Sequence, residues 1–304
     1  MRVCVVGAGS IGSLFAAHLA TVADVLVLTR RENHARALNA EGLRVSGRND
    51  FTARLTAAST ARELPEFELG IIATKATGLE AAADSLAGHF PAATIMTVQN
   101  GLGAEAVVRQ RGDWPIVSAV TFMSGTKHSD THVEYILDTP TWLGPYGQTP
   151  YERVREIAGL LVASGLKAEA MPDLLPAQWS KLIFNATVNG VAALTGLPHD
   201  RHFAAEADVS DLGHLVHDLV DEGRRVAAAA GVVLHDDPWE MNVLATKRGS
   251  ANYPSMLEDV EAHRETEVEL INGALVREAG RSGVEAPLHA AIYRLVKAKE
   301  ASYG

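Results

Sequence analysis

Val3-Cys4-Val5-Val6-Gly7-Ala8-Gly9-Ser10-Ile11-Gly12 is the stretch that decides the fold. Val3 to Val6 is a short β-branched-rich run that stops at Gly7, the pattern of a strand buried on both faces. Beyond the glycines, Ile11, Leu14, Phe15, Leu19 and Val22 recur at helical spacing. Strand, glycine turn and helix follow one another, and the next apolar run, Val25 to Leu28, stands where the second parallel strand of a βαβ unit belongs. In that context the first glycine permits the tight turn, the second lets the backbone approach a pyrophosphate, and the third allows close helix-strand packing. The helix N-terminus offers oriented N–H groups to the anion. Gly7, Gly9, Ser10, Ile11 and Gly12 are therefore candidate dinucleotide-binding residues. A purely structural glycine turn is the plainer alternative, and the strand-turn-helix context weighs against it.

The end of the second strand selects the dinucleotide. An NAD site usually has Asp or Glu there, for the ribose hydroxyls; this chain has Thr29-Arg30-Arg31, and a guanidinium suits a 2′-phosphate. NADP(H) is the expected cofactor, with Arg30 on its 2′-phosphate. The alternative makes Arg30 and Arg31 ordinary solvated charges opening the next helix.

Further strands are expected at Leu69 to Ala73, Thr94 to Val98 and Ile116 to Val120, with a helix over Leu79 to Leu86. Strands alternating with helices imply a parallel sheet covered on both sides. Near Met171-Pro172 the pattern changes to helices: Pro176 to Leu194, about Glu206 to Ala230, Ser255 to Ala279 and Leu288 to Ala301. The expected fold is α/β, an N-terminal Rossmann dinucleotide-binding domain over 1–170 followed by an all-α domain over 171–304, with a ligand site in the crevice between them.

Composition agrees. A chain of 304 residues suits roughly two domains. One Cys excludes an internal disulfide, and the 12 His show no zinc spacing, so no metal is expected. An apolar fraction of 47% excludes disorder, and a net charge of -10 argues against nucleic acid as partner. The stretch from Val3 to Ala23 is uncharged apart from His18, but glycines and serines interrupt it, so no membrane span is expected and a cytoplasmic domain is. Cys4 reads as an inert core residue, and His18 as a packing or surface residue.

On the helix over Pro176 to Leu194, Lys181, Asn185 and Asn189 are spaced i, i+4, i+8 and share one stripe. Asparagine is a poor helix former, and the rest of this helix is apolar, so the stripe points at something polar or wet. A lysine there can protonate a carbonyl oxygen as it gains hydride, while carboxamides hold the substrate's polar groups. Ser255 and Glu258 form a capping-box pattern that accounts for both. Glu267 lies in a charged run with Glu261, Arg264, Glu265 and Glu269, from which composition does not single it out.

These residues carry a family resemblance. The chain resembles the ketopantoate reductases (2-dehydropantoate 2-reductases) from end to end: GAGSIG, an Arg after the second strand, Glu41-Gly42-Leu43, Thr74-Lys75, Gln99-Asn100-Gly101-Leu102-Gly103, Trp179-Ser180-Lys181-Leu182 with Asn185 and Asn189, Ser255-Met256-Leu257-Glu258-Asp259, and Thr266-Glu267 leading to Ile271-Asn272-Gly273. The resemblance implies an NADPH-dependent reduction of ketopantoate to pantoate. It implies Lys181 as general acid and Glu267 as the group orienting substrate and lysine. Asn100 would touch nicotinamide ribose and substrate; Asn185, Asn189 and Ser255 would bind the substrate; Lys75 and Arg30 would serve the cofactor. It leaves room for a homodimer.

The chain departs from the family pattern at Ser118-Ala119, at Tyr135 to Thr139 and at His199. These departures bear on the substrate more than the reaction, so another 2-oxo acid or ketone stays open. A non-catalytic NADP(H) sensor and an opine-type or polyol-phosphate dehydrogenase are the competing readings.

Overall fold

Strand β1 (Arg2–Val6) is apolar after Arg2 and buried from Val3 onward, so it needs cover on both faces. The computed structural model, which describes residues 1–247 and 253–303, supplies that cover. By internal packing the chain divides into two compact units, Met1–Gln99 with Ala104–Leu174 (unit 1) and Asn100–Gly103 with Leu175–Gly304 (unit 2).

In unit 1, β1 leads through the glycine turn into α1 (Ser10–Leu19), β2 (Asp24–Leu28), α2 (Glu32–Glu41), β3 (Leu43–Gly47), β4 (Phe51–Ala53) and β5 (Thr56–Ala58). Then follow β6 (Leu69–Ile72), α3 (Leu79–Leu86), β7 (Thr94–Thr97), α4 (Ala104–Arg109), β8 (Ile116–Thr121), β9 (Ser124–Ser129), β10 (His132–Leu137), β11 (Thr141–Tyr146), α5 (Tyr151–Ala163) and β12 (Ala168–Ala170). Eight strands form one sheet in the order β12-β11-β8-β7-β6-β1-β2-β5. Every neighbouring pair is parallel except β11 and β8. This is the Rossmann-like α/β architecture. β1 pairs with β2 on one side and β6 on the other, so the chain reverses its course across the sheet at β1; open α/β sheets bind ligands at such a switch point.

A second sheet, β4-β3-β10-β9, was not legible in the sequence. Its strand Ser124–Ser129 reads SGTKHS, with almost no apolar alternation to mark it. The sheet packs on α1: the buried His18 ring stands edge-on to Phe51 and Tyr135, at centroid distances of 5.2 and 5.5 Å, and its Nδ1 lies 3.2 Å from the Ser164 carbonyl. Cys4 is fully buried in β1, and burial pushes its thiol up to about 12, which makes it inert at neutral pH.

Unit 2 is helical: α6 (Leu175–Thr195), α7 (Asp211–Ala229), α8 (Pro238–Lys247), α9 (Ser255–Glu261), α10 (Asn272–Arg281) and α11 (Pro287–Glu300). Trp179, Leu182, Ile183, Ala186 and Val191 of α6 join Val216, Leu219 and Val226 of α7 and Met256, Leu257 and Val260 of α9 in one core. Two expectations are corrected here. The single helix over Ser255 to Ala279 is two helices, because the charged run 261–265 has no apolar face to bury; His263 turns to a positive φ of 50° and Arg264 N bonds the Asp259 carbonyl at 2.8 Å. The capping box does not form either, since Pro254 is the N-cap of α9 and Ser255 is already inside the helix. Among the described residues no helix is long and apolar enough to cross a membrane.

Candidate active site

The residues expected to act divide between the two units. In unit 1, Gly7 holds φ +96°, which favours glycine, and its N–H bonds the Leu28 carbonyl at 2.8 Å. A Cβ on Gly12 would stand 1.9 Å from the Gly7 carbonyl oxygen, so this pair must pack backbone to backbone. Gly9, the N-cap of α1, has open space where its Cβ would be. The turn is therefore closed behind Gly7 and Gly12 and open in front of Gly9, the shape needed for a pyrophosphate to reach the N–H groups of Ser10 and Ile11.

Arg30 is exposed just past the end of β2. Lys75 is exposed in the loop after β6, and Gln99 pins that loop, its amide donating to the carbonyls of Ile72 (2.8 Å) and Thr74 (2.9 Å).

In unit 2, α6 carries Lys181, Asn185 and Asn189 on successive turns, 8%, 7% and 7% exposed. Among the described residues neither side-chain carboxamide of the two asparagines has a hydrogen-bond partner. Neither carboxamide is among the fully buried polar atoms left without a partner, so both remain open to solvent and available to a group outside the chain. Burial lowers the pKa of Lys181 to about 8, with the negative charge of Glu267 acting in the opposite direction. That ammonium is protonated at neutral pH yet gives up its proton far more readily than a surface lysine.

Glu267 sits in the turn before α10, and Asn100 Nδ2 donates to its Oε2 at 3.0 Å. The Asn100–Gly103 segment is fastened to this turn: Leu102 N bonds the Leu270 carbonyl at 3.0 Å, and Gly101, at φ +96°, lies so close that a Cβ would be 1.8 Å from the Leu270 oxygen. Lys181, Glu267, Asn100, Asn185 and Asn189 thus share one unit. Ser255 is exposed in the first turn of α9, without a capping role.

The three departures have structural places. Ser118 and Ala119 are buried in β8. Tyr135 is buried and donates to Asp138 at 2.9 Å. His199 is buried, 2.8 Å from Asn242 Oδ1 and edge-on to Phe203. Sequence reasoning missed three residues beside the glycine turn, His34, Lys127 and Asp130. Lys127 lies on β9 of the second sheet and Asp130 in the turn that follows it, and the contacts of these two residues with Ala8 and His34 cross 93 or more positions.

Two family models match the chain: "Ketopantoate reductase PanE/ApbA" over residues 3–148 and "Ketopantoate reductase PanE/ApbA C terminal" over 173–300. A 2-dehydropantoate 2-reductase from Streptococcus pyogenes serotype M6 is 30% identical, covering 99% of this chain and 98% of its own. Among solved structures, 2-dehydropantoate 2-reductase from Methylococcus capsulatus is similar at 28% identity and TM-score 0.85, covering 100% of this chain and 98% of that one. D-mandelate dehydrogenase with NADH and anilino(oxo)acetate is similar at 25% identity and TM-score 0.87, covering 100% and 99%.

Proposed function

The chain belongs to the ketopantoate reductase family and is an oxidoreductase, and from that premise we propose that it reduces the 2-oxo group of 2-dehydropantoate to the hydroxyl of pantoate with NADP(H). The observation that carries this reading is the buried Lys181 ammonium on the same stripe as two unpartnered carboxamides, with Glu267 acting on it electrostatically.

In this reading unit 1 is the cofactor-binding domain and unit 2 the catalytic one. Gly7, Gly9, Ser10, Ile11 and Gly12 hold the pyrophosphate, and Arg30 and Lys75 serve the phosphate-bearing end of the cofactor. Bound NADPH supplies the hydride. Asn185, Asn189 and Ser255 bind the substrate's carboxylate and hydroxyl, using donors that the fold leaves available. Asn100 holds substrate and nicotinamide ribose while its amide keeps Glu267 oriented.

Lys181 points its ammonium at the carbonyl oxygen, stabilises the negative charge that grows there, and transfers one proton from Nζ to that oxygen. The balance is one hydride to C2 and one proton to oxygen, which leaves Lys181 neutral until solvent reprotonates it. A pKa of about 8 suits a general acid here, because the lysine is charged in the ground state and more acidic than an exposed one.

A second reading keeps the chemistry and changes the 2-oxo acid. Similarity to D-mandelate dehydrogenase favours testing the 2-oxo counterpart of mandelate beside ketopantoate. Loss of nicotinamide absorbance with a panel of 2-oxo acids, each with NADPH and NADH, is the deciding measurement. The highest kcat/KM is expected with ketopantoate and NADPH. A higher value with the aromatic acid would replace the substrate, and no turnover with any ketone would remove the reaction.

A further inference from the structure

Beside the glycine turn lies a charged cluster that the reading above leaves unused. Lys127, on β9, donates from Nζ to the Ala8 carbonyl within the turn at 2.7 Å. The same ammonium is 3.3 Å from His34 Nε2 and 3.6 Å from Asp130 Oδ1. Arg31, the N-cap of α2, forms an ion pair with that Asp130 oxygen. His34 is buried; its Nε2 donates to the Asp130 carbonyl at 2.9 Å, leaving Nδ1 to accept from the Thr29 hydroxyl at 3.0 Å.

The charges do not balance. Two cations, Arg31 and Lys127, share one carboxylate. His34 adds no charge, because burial and then the neighbouring Lys127 lower its pKa. Lys127 is largely withdrawn from water, with its side chain 23% exposed, so its charge is under-compensated. Thr29 to Arg31 is also the strand end at which this kind of fold reads the ribose 2′ position, and a phosphate there carries nearly two negative charges.

We propose that Lys127 and Arg31 form a 2′-phosphate subsite in which the Asp130 carboxylate is a resident stand-in anion that the 2′-phosphate displaces. Asp130 suits that part, since it sits in the turn between β9 and β10 with a third of its side chain exposed and can swing outward. The inference rests on the NADP(H) reading and adds to it residues supplied by the second sheet. It also gives that sheet a function: β9 delivers a cation to the turn between β1 and α1.

Calorimetric titration with adenosine 2′,5′-bisphosphate and adenosine 5′-monophosphate, which differ only in the 2′-phosphate, tests the subsite without turnover. Lys127→Gln is expected to weaken the bisphosphate about tenfold or more, the size of a lost charge-assisted bond, and the monophosphate less than about twofold. Lys127→Arg should restore most of the loss. Asp130→Asn should tighten the bisphosphate about threefold or more, and it remains decisive if Lys127→Gln does not fold. Equal weakening of both nucleotides by Lys127→Gln would reduce Lys127 to a structural tie on Ala8. Weaker or unchanged bisphosphate binding by Asp130→Asn would overturn the stand-in role. A wild-type protein that binds NADH but prefers neither nucleotide would defeat the NADP(H) reading itself, which separates the two failures.

Discussion

The side-chain amide of Asn100 donates to Glu267 Oε2 at 3.0 Å across 167 positions of sequence. The residue before it, Gln99, belongs to unit 1 and pins the Ile72–Thr74 backbone, whereas Asn100 belongs to unit 2 and fixes a carboxylate there. Two adjacent polar side chains therefore do separate work, one organising the loop after β6 and the other orienting the group that acts on Lys181.

Lys181→Met is expected to lower kcat/KM by about 10²-fold or more, since the proton donor is gone. The same variant should be more stable than the parent at pH 7. The folded-state pKa of about 8 lies below the ordinary 10.5, so the unfolded chain holds this proton more tightly between those values. The lysine therefore costs stability below pH 8, and the cost fades as pH rises toward 10.5. Denaturant melts at pH 7 should give the variant an advantage of about 1–3 kcal/mol that shrinks on the alkaline side; a less stable variant would show that the buried charge is well compensated.

The pH profile of kcat/KM should be flat near neutrality and fall above about 8, as Lys181 loses its proton. Glu267 favours the charged ammonium, so Glu267→Gln should move the alkaline limb to lower pH as well as reduce the rate. A limb that stays in place or moves upward in the variant would exclude Glu267 as the group that holds the proton on Lys181.

Gly101→Ala introduces a side chain at φ +96° against the Leu270 carbonyl. The strain alone is worth about 1–2 kcal/mol, and the clash forces the Asn100 segment away from the Glu267 turn. Activity should fall by about tenfold or more while unit 1 keeps its nucleotide affinity, a combination read by steady-state kinetics beside a cofactor titration. Unchanged kinetics would mean that the Asn100–Glu267 bond does not govern the rate.

Arg30→Ala should weaken NADPH by about tenfold and NADH by less than about twofold, measured by quenching of intrinsic fluorescence. Equal losses would remove Arg30 from the 2′-phosphate. If Arg30 and Lys127 both serve that phosphate, the double variant should depart from the sum of the two single effects by about 0.5 kcal/mol or more, because the two cations share one partner; strict additivity would mean that they act at separate sites.

The parallel core of unit 1 and the glycine turn were legible because local pattern suffices for them: an apolar run, a Gly-x-Gly-x-x-Gly spacing and a helical stripe lie within two dozen residues. The Lys181, Asn185, Asn189 stripe was legible for the same reason, being set by helical periodicity alone. The break at His263 and the missing cap at Ser255 were not, because a charged run and a capping pattern are each compatible with helix until a competing backbone bond, here Arg264 to Asp259, is known.

By itself, then, the sequence determined the glycine turn, the order of strands and helices around it, and the spacing of the lysine and its two asparagines. Only the tertiary structure decided that Asn100 meets Glu267, that burial lowers the pKa of Lys181, and that the polar strand β9 carries Lys127 to the Ala8 carbonyl. The physical reason is range. Periodicity and turn chemistry act over a few residues, whereas desolvation and ion pairing depend on neighbours brought from up to 167 positions away, which no local pattern records.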